Sequence, residues 1–179
     1  MPFLGRPLVL RILERLAACA DEVILSTNQP VDYAFLDVPL YPDFLPDCGA
    51  LGGLYTCLKA AHGQIVAAIA CDMPFANPGL FEYETGLLSG TGADVVIPST
   101  PKGLEPLHAT YRRETCLPVI QSALESGRLK LVGWLPEVKV RLVKPEEIAP
   151  FDPQGLAFWN LNTPEEFLQA EQQARLQEN

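Results

Sequence analysis

The sequence predicts an α/β protein: a mainly parallel sheet with helices on both faces, in three layers. Three observations predict it. Helical and strand-like patterns alternate along nearly the whole chain, as in folds built from strand–helix units. The run from Gln64 to Cys71 carries no charge and no amphipathic break, which suits a strand buried on both faces in mid-sheet. Polar residues gather where predicted strands end: Ser26 and Asn28, then Asp72, then Asn160 and Asn162. Strands of one parallel sheet release their carboxyl ends at one edge, and open α/β sheets bind ligands there.

The elements follow in order. Val9, Ile12, Leu13, Leu16, Ala17 and Ala20 recur at helical spacing, opposite Arg11, Glu14 and Arg15. Glu22 to Thr27 reads as a short strand, and Val38 to Tyr41 as a second that leads to Asp43. The segment Cys48-Gly49-Ala50-Leu51-Gly52-Gly53 precedes a helix that runs to about His62. After the apolar strand, Pro74 fixes the loop, and Asn77-Pro78 opens a helix with Asn as cap and Pro at the first helical position. Ala93 to Pro98 and Leu107 to Tyr111 read as strands, and Glu114 to Ser126 as a helix. Val138 to Val143 and Leu156 to Leu161 complete the strands. The last helix opens with Thr163 and Glu166 at the two positions of a capping box.

A length of 179 residues suits one domain, 1–179, with a full core, and 48% hydrophobic residues exclude a mainly disordered chain. No run is long enough to cross a bilayer, and no basic-then-apolar leader opens the sequence. The five cysteines lack CxxC spacing, which fits reduced thiols and a cytoplasmic protein. A formal charge of −9 argues against nucleic acid and membrane surfaces as partners. The two histidines have no metal-ligand spacing.

Each candidate functional residue has a structural alternative. Asp72 either caps the turn before Pro74 or meets a metal ion or nucleotide at the strand's carboxyl end. Asn160 and Asn162 either begin the capping turn of the last helix or face a ligand. Gly52 and Gly53 either pack a helix on the sheet or let backbone N–H groups approach an anion or a purine. Arg128 and Lys130, after a predicted helix end, either complement the dipole or contact a phosphorylated substrate. Neither a GxxxxGK[ST] loop, a GxGxxG turn nor a GxSxG elbow occurs, which argues against a dehydrogenase or an α/β hydrolase.

Taken together, six segments resemble the MobA family of molybdenum cofactor guanylyltransferases, nucleotidyltransferases with a Rossmann-like fold. They are Gly5-Arg6-Pro7-Leu8, the strand ending Ser26-Thr27-Asn28, Asp43 followed by Gly49-Ala50-Leu51-Gly52-Gly53, Cys71-Asp72-Met73-Pro74, Pro106-Leu107-His108-Ala109-Thr110-Tyr111, and Asn160-Leu161-Asn162-Thr163-Pro164-Glu165-Glu166. The resemblance implies transfer of GMP from GTP to the phosphate of molybdopterin, with release of pyrophosphate. It implies Mg²⁺ on Asp72, nucleotide contacts from Ser26, Asn28, Asp43, Gly52, Gly53 and Asp72, and Asn160 and Asn162 near the reacting groups. Molybdoenzyme apoproteins and cofactor-biosynthesis proteins follow as further partners. A cytidylyltransferase, another nucleotidyltransferase acting on a phosphorylated acceptor, and a truncated or non-catalytic homologue are the alternative readings.

One segment of the family pattern has no counterpart. Family members open with a strand and a glycine-rich loop ahead of the Gly-[Lys/Arg]-Pro-Leu step, whereas here Met1 stands four residues before Gly5. The resemblance therefore implies a sheet missing its first strand, an N-terminally short domain, and little turnover by the 179-residue form.

Overall fold

The computed structural model describes residues 2–178. A two-residue hairpin opens the chain: β1 (Pro2–Phe3) and β2 (Arg6–Pro7) pair antiparallel around Leu4 and Gly5, whose φ angles are 51° and 79°. Such a turn needs left-handed backbone at both central positions, which is costless only for the glycine. α1 (Leu8–Leu16) follows and buries Leu8, Val9 and Ile12; Val9 and Ile12 belong to the predicted face, but the helix ends before Ala17 and Ala20, which are exposed.

β3 (Leu25–Ser26) and β4 (Leu40–Tyr41) form a separate two-stranded parallel sheet. The strand expected over Glu22 to Thr27 is thus shorter, because only Leu25 and Ser26 pair with a neighbour. α2 (Gly49–Ala60) packs on β3, on β4 and on β5 (Ile65–Ile69). The helix begins at Gly49, so Gly52 and Gly53 lie within its first turns and not ahead of it.

The main sheet contains β5, β6 (Val95–Thr100), β7 (Gly103–Leu104), β8 (His108–Arg112) and β9 (Val140–Val143). β8 lies between β5 and β6 and runs antiparallel to both, and β9 pairs parallel with β6. β5, β6 and β9 therefore share one direction, and their carboxyl ends emerge at one edge.

Two readings of the sequence are corrected. β5 is an edge strand, paired only with β8 among the described residues; Ala67 is exposed and Ala68 alone of the five is buried. An apolar run shows that side chains avoid charge, but a second neighbouring strand has to be supplied by the tertiary fold. Leu156 to Leu161 forms no strand. The N–H groups of Leu156 and Ala157 donate to the Asp152 carboxylate at 2.9 and 2.8 Å, so that backbone is spent locally and not on a ladder.

Helices cover both faces. α2 and α4 (Arg113–Glu125) bury Leu51, Leu54, Leu58 and Ile120 against Val95, Ile97, Ala109 and Tyr111. α3 (Pro78–Thr91) and α5 (Pro145–Ile148) bury Leu80, Leu88 and Ile148 against Val96 and Val143. Val95 and Val96 point to opposite layers, as strand alternation requires. A third cluster joins Phe3, Leu8 and Ile12 to Phe75, Leu161 and α6 (Pro164–Glu178).

Two local signals appear as expected, and a glycine cap joins them. Asn77 accepts the Leu80 N–H at 3.0 Å, with Pro78 opening α3. Gly92, at φ 67°, ends that helix. The capping box closes with Thr163 Oγ1 accepting from Glu166 N at 3.2 Å and Glu166 Oε2 accepting from Thr163 N at 2.9 Å.

Candidate functional site

Asp72 follows the carboxyl end of β5, three residues past Ile69. Its side chain is half-buried, and Oδ1 is fully buried with no hydrogen-bond partner. Burial raises its carboxyl pKa above the ordinary range, because the charged form is partly desolvated. A bare, buried carboxylate oxygen is costly unless something completes it. An aspartate that merely capped the turn would spend its oxygens on backbone N–H groups, and Oδ1 does not.

The Asn160-Leu161-Asn162 turn is tied to this residue. Leu161 N donates to the Asp72 carbonyl at 3.0 Å, while Leu161 is buried in the cluster with Phe3 and Phe75. Asn160 is half-buried, and its carbonyl accepts a 3.4 Å bond from the Asn162 amide. Asn162 N donates to Glu166 Oε2 at 2.7 Å, which extends the capping box by one residue. The carboxyl of Glu166 is held below its ordinary pKa, first by the Asn162 N–H and to a lesser degree by the nearby Lys102.

A second group assembles at the ends of β3 and β4. Asp43 Oδ1 accepts the Ser26 hydroxyl at 2.9 Å, and Oδ2 accepts the Asn28 amide at 2.9 Å. Asn28 Oδ1 in turn accepts the Asp43 N–H at 2.9 Å. α2 approaches this group at its glycines. A Cβ on Gly53 would stand 4.0 Å from both Asp43 Oδ1 and Ser26 Oγ. A Cβ on Gly52 would meet Cys48 Cβ at 2.8 Å and the Leu45 carbonyl at 3.3 Å, so glycine is required there by close backbone approach.

The structure therefore brings Asp72 together with the Asn160–Asn162 turn, and Ser26, Asn28 and Asp43 together with Gly52 and Gly53. Arg128 joins neither group: it pairs with Glu137 and donates to Ser126 Oγ at 3.1 Å, beyond the end of α4. Lys130 lies on the same segment, where its carbonyl accepts the Gly133 N–H at 2.8 Å.

Two features escaped the sequence reading. Glu84, His108 and Thr110 form a fully buried polar cluster between α3 and β8, with Thr110 Oγ1 donating to Glu84 Oε2 at 3.0 Å. His108 Nδ1 lies 3.5 Å from Glu84 Oε1, and its ring stacks on Phe81 at 4.0 Å. α3 carries two acids, Glu82 exposed and Glu84 buried, and nothing in the local sequence says which of them turns inward. The second feature is a cavity of about 580 Å³ walled by the β6–β7 turn, α5 and the loop that leads to Trp159. Three separate chain segments build it, so no single motif announces it.

No helix among the described residues is long and apolar enough to cross a membrane, and none of their His, Cys, Asp and Glu side chains form a metal-binding group of three or more.

Comparison with known proteins adds independent findings. The profile of the MobA-like NTP transferase domain matches residues 1–138. The molybdenum cofactor guanylyltransferase of Desulfosudis oleivorans is 31% identical over 167 residues, covering 93% of this chain and 82% of that protein. A probable molybdenum cofactor guanylyltransferase of Peptoclostridium acidaminophilum is 32% identical over 163 residues, covering 88% and 73%. The crystal structure of molybdopterin-guanine dinucleotide biosynthesis protein A from Archaeoglobus fulgidus superposes with a TM-score of 0.85 at 22% identity, covering 98% of this chain and 89% of that one. A 2-C-methyl-D-erythritol 4-phosphate cytidylyltransferase from Thermus thermophilus shares the fold at a TM-score of 0.67 and 17% identity, covering 96% and 90%. The α/β order, the end-to-end motifs and these likenesses agree: the chain belongs to the MobA-like NTP transferase family and is a nucleotidyltransferase of the molybdenum cofactor guanylyltransferase group.

Proposed function

We propose that this protein transfers GMP from GTP to the phosphate of molybdopterin, releasing pyrophosphate, with Asp72 at the reacting centre. The observation that carries this reading is the buried, unpartnered Asp72 Oδ1 beside the Asn160–Asn162 turn. A hard oxygen without a hydrogen bond suits Mg²⁺, which is content with one carboxylate when substrate phosphates and water supply its other ligands. When bound, the ion would neutralise phosphate charge and help orient attack.

The chain's own residues do the rest. A phosphate oxygen of the acceptor forms a bond to the α-phosphorus as the bond to pyrophosphate breaks, so no protein nucleophile is needed. Asn160 and Asn162 lie next to Asp72 and orient the reacting groups by hydrogen bonding. Ser26, Asn28 and Asp43, with the approach allowed by Gly52 and Gly53, hold the nucleotide. Arg128 and Lys130 meet substrate phosphate, Arg128 by exchanging Glu137 for it. Soluble cofactor-assembly proteins and apo-molybdoenzymes are the macromolecular partners.

The test is GMP transfer from labelled GTP to molybdopterin by the full polypeptide, titrated with Mg²⁺, beside Asp72→Asn. Asp72→Asn should lose activity by about a hundredfold or more and retain its fold. Undiminished turnover by this variant overturns the assignment. Thermal shifts larger with CTP than with GTP would favour the cytidylyltransferase reading.

A further inference from the structure

The cavity near Trp159 lies on the sheet edge that carries Asp72. Ser99 and Thr100, at the carboxyl end of β6, line it, and β6 runs parallel to β5. Its wall ends at Trp159, one residue before Asn160, and Leu161 is bonded to Asp72. The elements that bear the nucleotide residues, β3, β4 and α2, contribute nothing to this wall. At about 580 Å³ it is of the size that encloses a small organic ligand.

The lining has two characters. Ile148, Leu156, Phe158 and Trp159 give apolar and aromatic surface. Glu105 is half-buried; its Oε1 accepts the Thr100 hydroxyl at 3.0 Å, and Oε2 takes no hydrogen bond from the described residues. Lys102 stands exposed at the rim. The wall is held in shape before any ligand arrives. Both oxygens of Asp152 secure the Leu156 and Ala157 N–H groups, Asn77 donates to the Phe151 carbonyl at 2.7 Å, and Phe75 stacks on Trp159 at 6.0 Å.

A free carboxylate oxygen beside a flat apolar wall selects a planar heterocycle with adjacent N–H donors. The 2-amino-4-oxopyrimidine edge has that form, and both pterin and guanine carry it. Because the nucleotide residues lie on other elements, pterin is the source this cavity fits. We propose that the cavity is the acceptor subsite, with Glu105 reading the amino and N–H edge of a pterin ring and Lys102 meeting its anionic substituent. This rests on the guanylyl-transfer reading above.

Calorimetric titration of the full polypeptide with pterin-6-carboxylate, and separately with GMP, tests it in the parent protein, Glu105→Ala and Ala149→Trp. Ala149 is exposed on the cavity wall, so an indole there fills the space without entering the core. Glu105→Ala should weaken pterin binding about tenfold or more, as expected for loss of a charge-assisted hydrogen bond. Ala149→Trp should abolish it. Both variants should bind GMP within twofold of the parent, which also reports that they are folded. Loss of GMP binding with pterin binding intact would assign the cavity to guanine and overturn the proposal. Pterin binding unchanged in both variants would overturn the subsite while leaving guanylyl transfer standing. A parent protein that neither binds pterin nor guanylylates molybdopterin would overturn both.

Discussion

The main-chain N–H of Leu161 donates to the carbonyl oxygen of Asp72 at 3.0 Å. This one bond joins two motifs that lie far apart in sequence, and Leu161 anchors it by burying its side chain beside Phe3 and Phe75. The neighbours of Leu161, Asn160 and Asn162, are thereby brought toward the carboxyl end of β5, with the Asn162 side-chain amide donating to the Asn160 carbonyl at 3.4 Å.

Asn160→Ala should lower kcat about a hundredfold, the scale seen when one transition-state hydrogen-bond donor is removed. GTP affinity should stay within about twofold, because the residues proposed to hold the nucleotide sit on other elements. Steady-state kinetics check this; an unaltered kcat would remove Asn160 from the reacting centre.

Asp43→Ala strips the acceptor shared by the Ser26 hydroxyl and the Asn28 amide. The pair is partly exposed, so the cost to stability should be modest, about 1 kcal/mol. GTP binding should fall by tenfold or more as the β3–β4 ends lose their register. Denaturant titration and calorimetry separate the two effects.

Gly52→Ala and Gly53→Ala should behave oppositely. At Gly52 the added methyl would meet Cys48 Cβ at 2.8 Å, and overpacking of this kind costs about 1–3 kcal/mol. At Gly53 its nearest neighbours stand 4.0 Å away, so alanine should gain about 0.5–1 kcal/mol of helix stability. That same methyl faces Ser26 and Asp43, and nucleotide affinity should fall. Melting curves with and without GTP test both halves.

Glu84 carries a pH signature. Burial raises its carboxyl pKa, with His108 and Thr110 pulling it back less strongly. A folded-state pKa above the unfolded one means the native state holds the proton more tightly. Its contribution to stability is complete below the ordinary carboxyl value near 4.5 and declines as pH rises through the raised folded value. Glu84→Gln should flatten that part of the stability–pH curve while still accepting the Thr110 hydroxyl. Identical pH profiles for the two proteins would refute this.

Arg128→Ala should leave stability within about 0.5 kcal/mol, because its ion pair with Glu137 is exposed and solvent screens it. A tenfold rise in the KM for GTP or molybdopterin would place its guanidinium on substrate phosphate, and an unchanged KM would leave it with Glu137.

Local chemistry made much of the molecule legible from the residues. Asn77 and Pro78 and the Thr163–Glu166 box are decided within a few residues, and each stands where its spacing places it; α1 keeps Val9 and Ile12 on its buried face but stops short of Ala17 and Ala20. Asp72 is read as a site candidate from its place after the apolar run of β5, whereas Asn160 and Asn162 follow no strand and reach it only through the bond from Leu161 to the Asp72 carbonyl. What the sequence could not decide depends on which neighbours arrive. The apolar run of β5 has no second partner strand among the described residues, Leu156 and Ala157 give their N–H groups to Asp152 and not to a ladder, and Glu84 is buried by the packing of α3 on β8. The cavity and its free Glu105 oxygen arise only where three separate segments meet. Backbone propensity and side-chain polarity act over one or two turns of chain, whereas pairing, burial and enclosure are set by the long-range contacts of the fold.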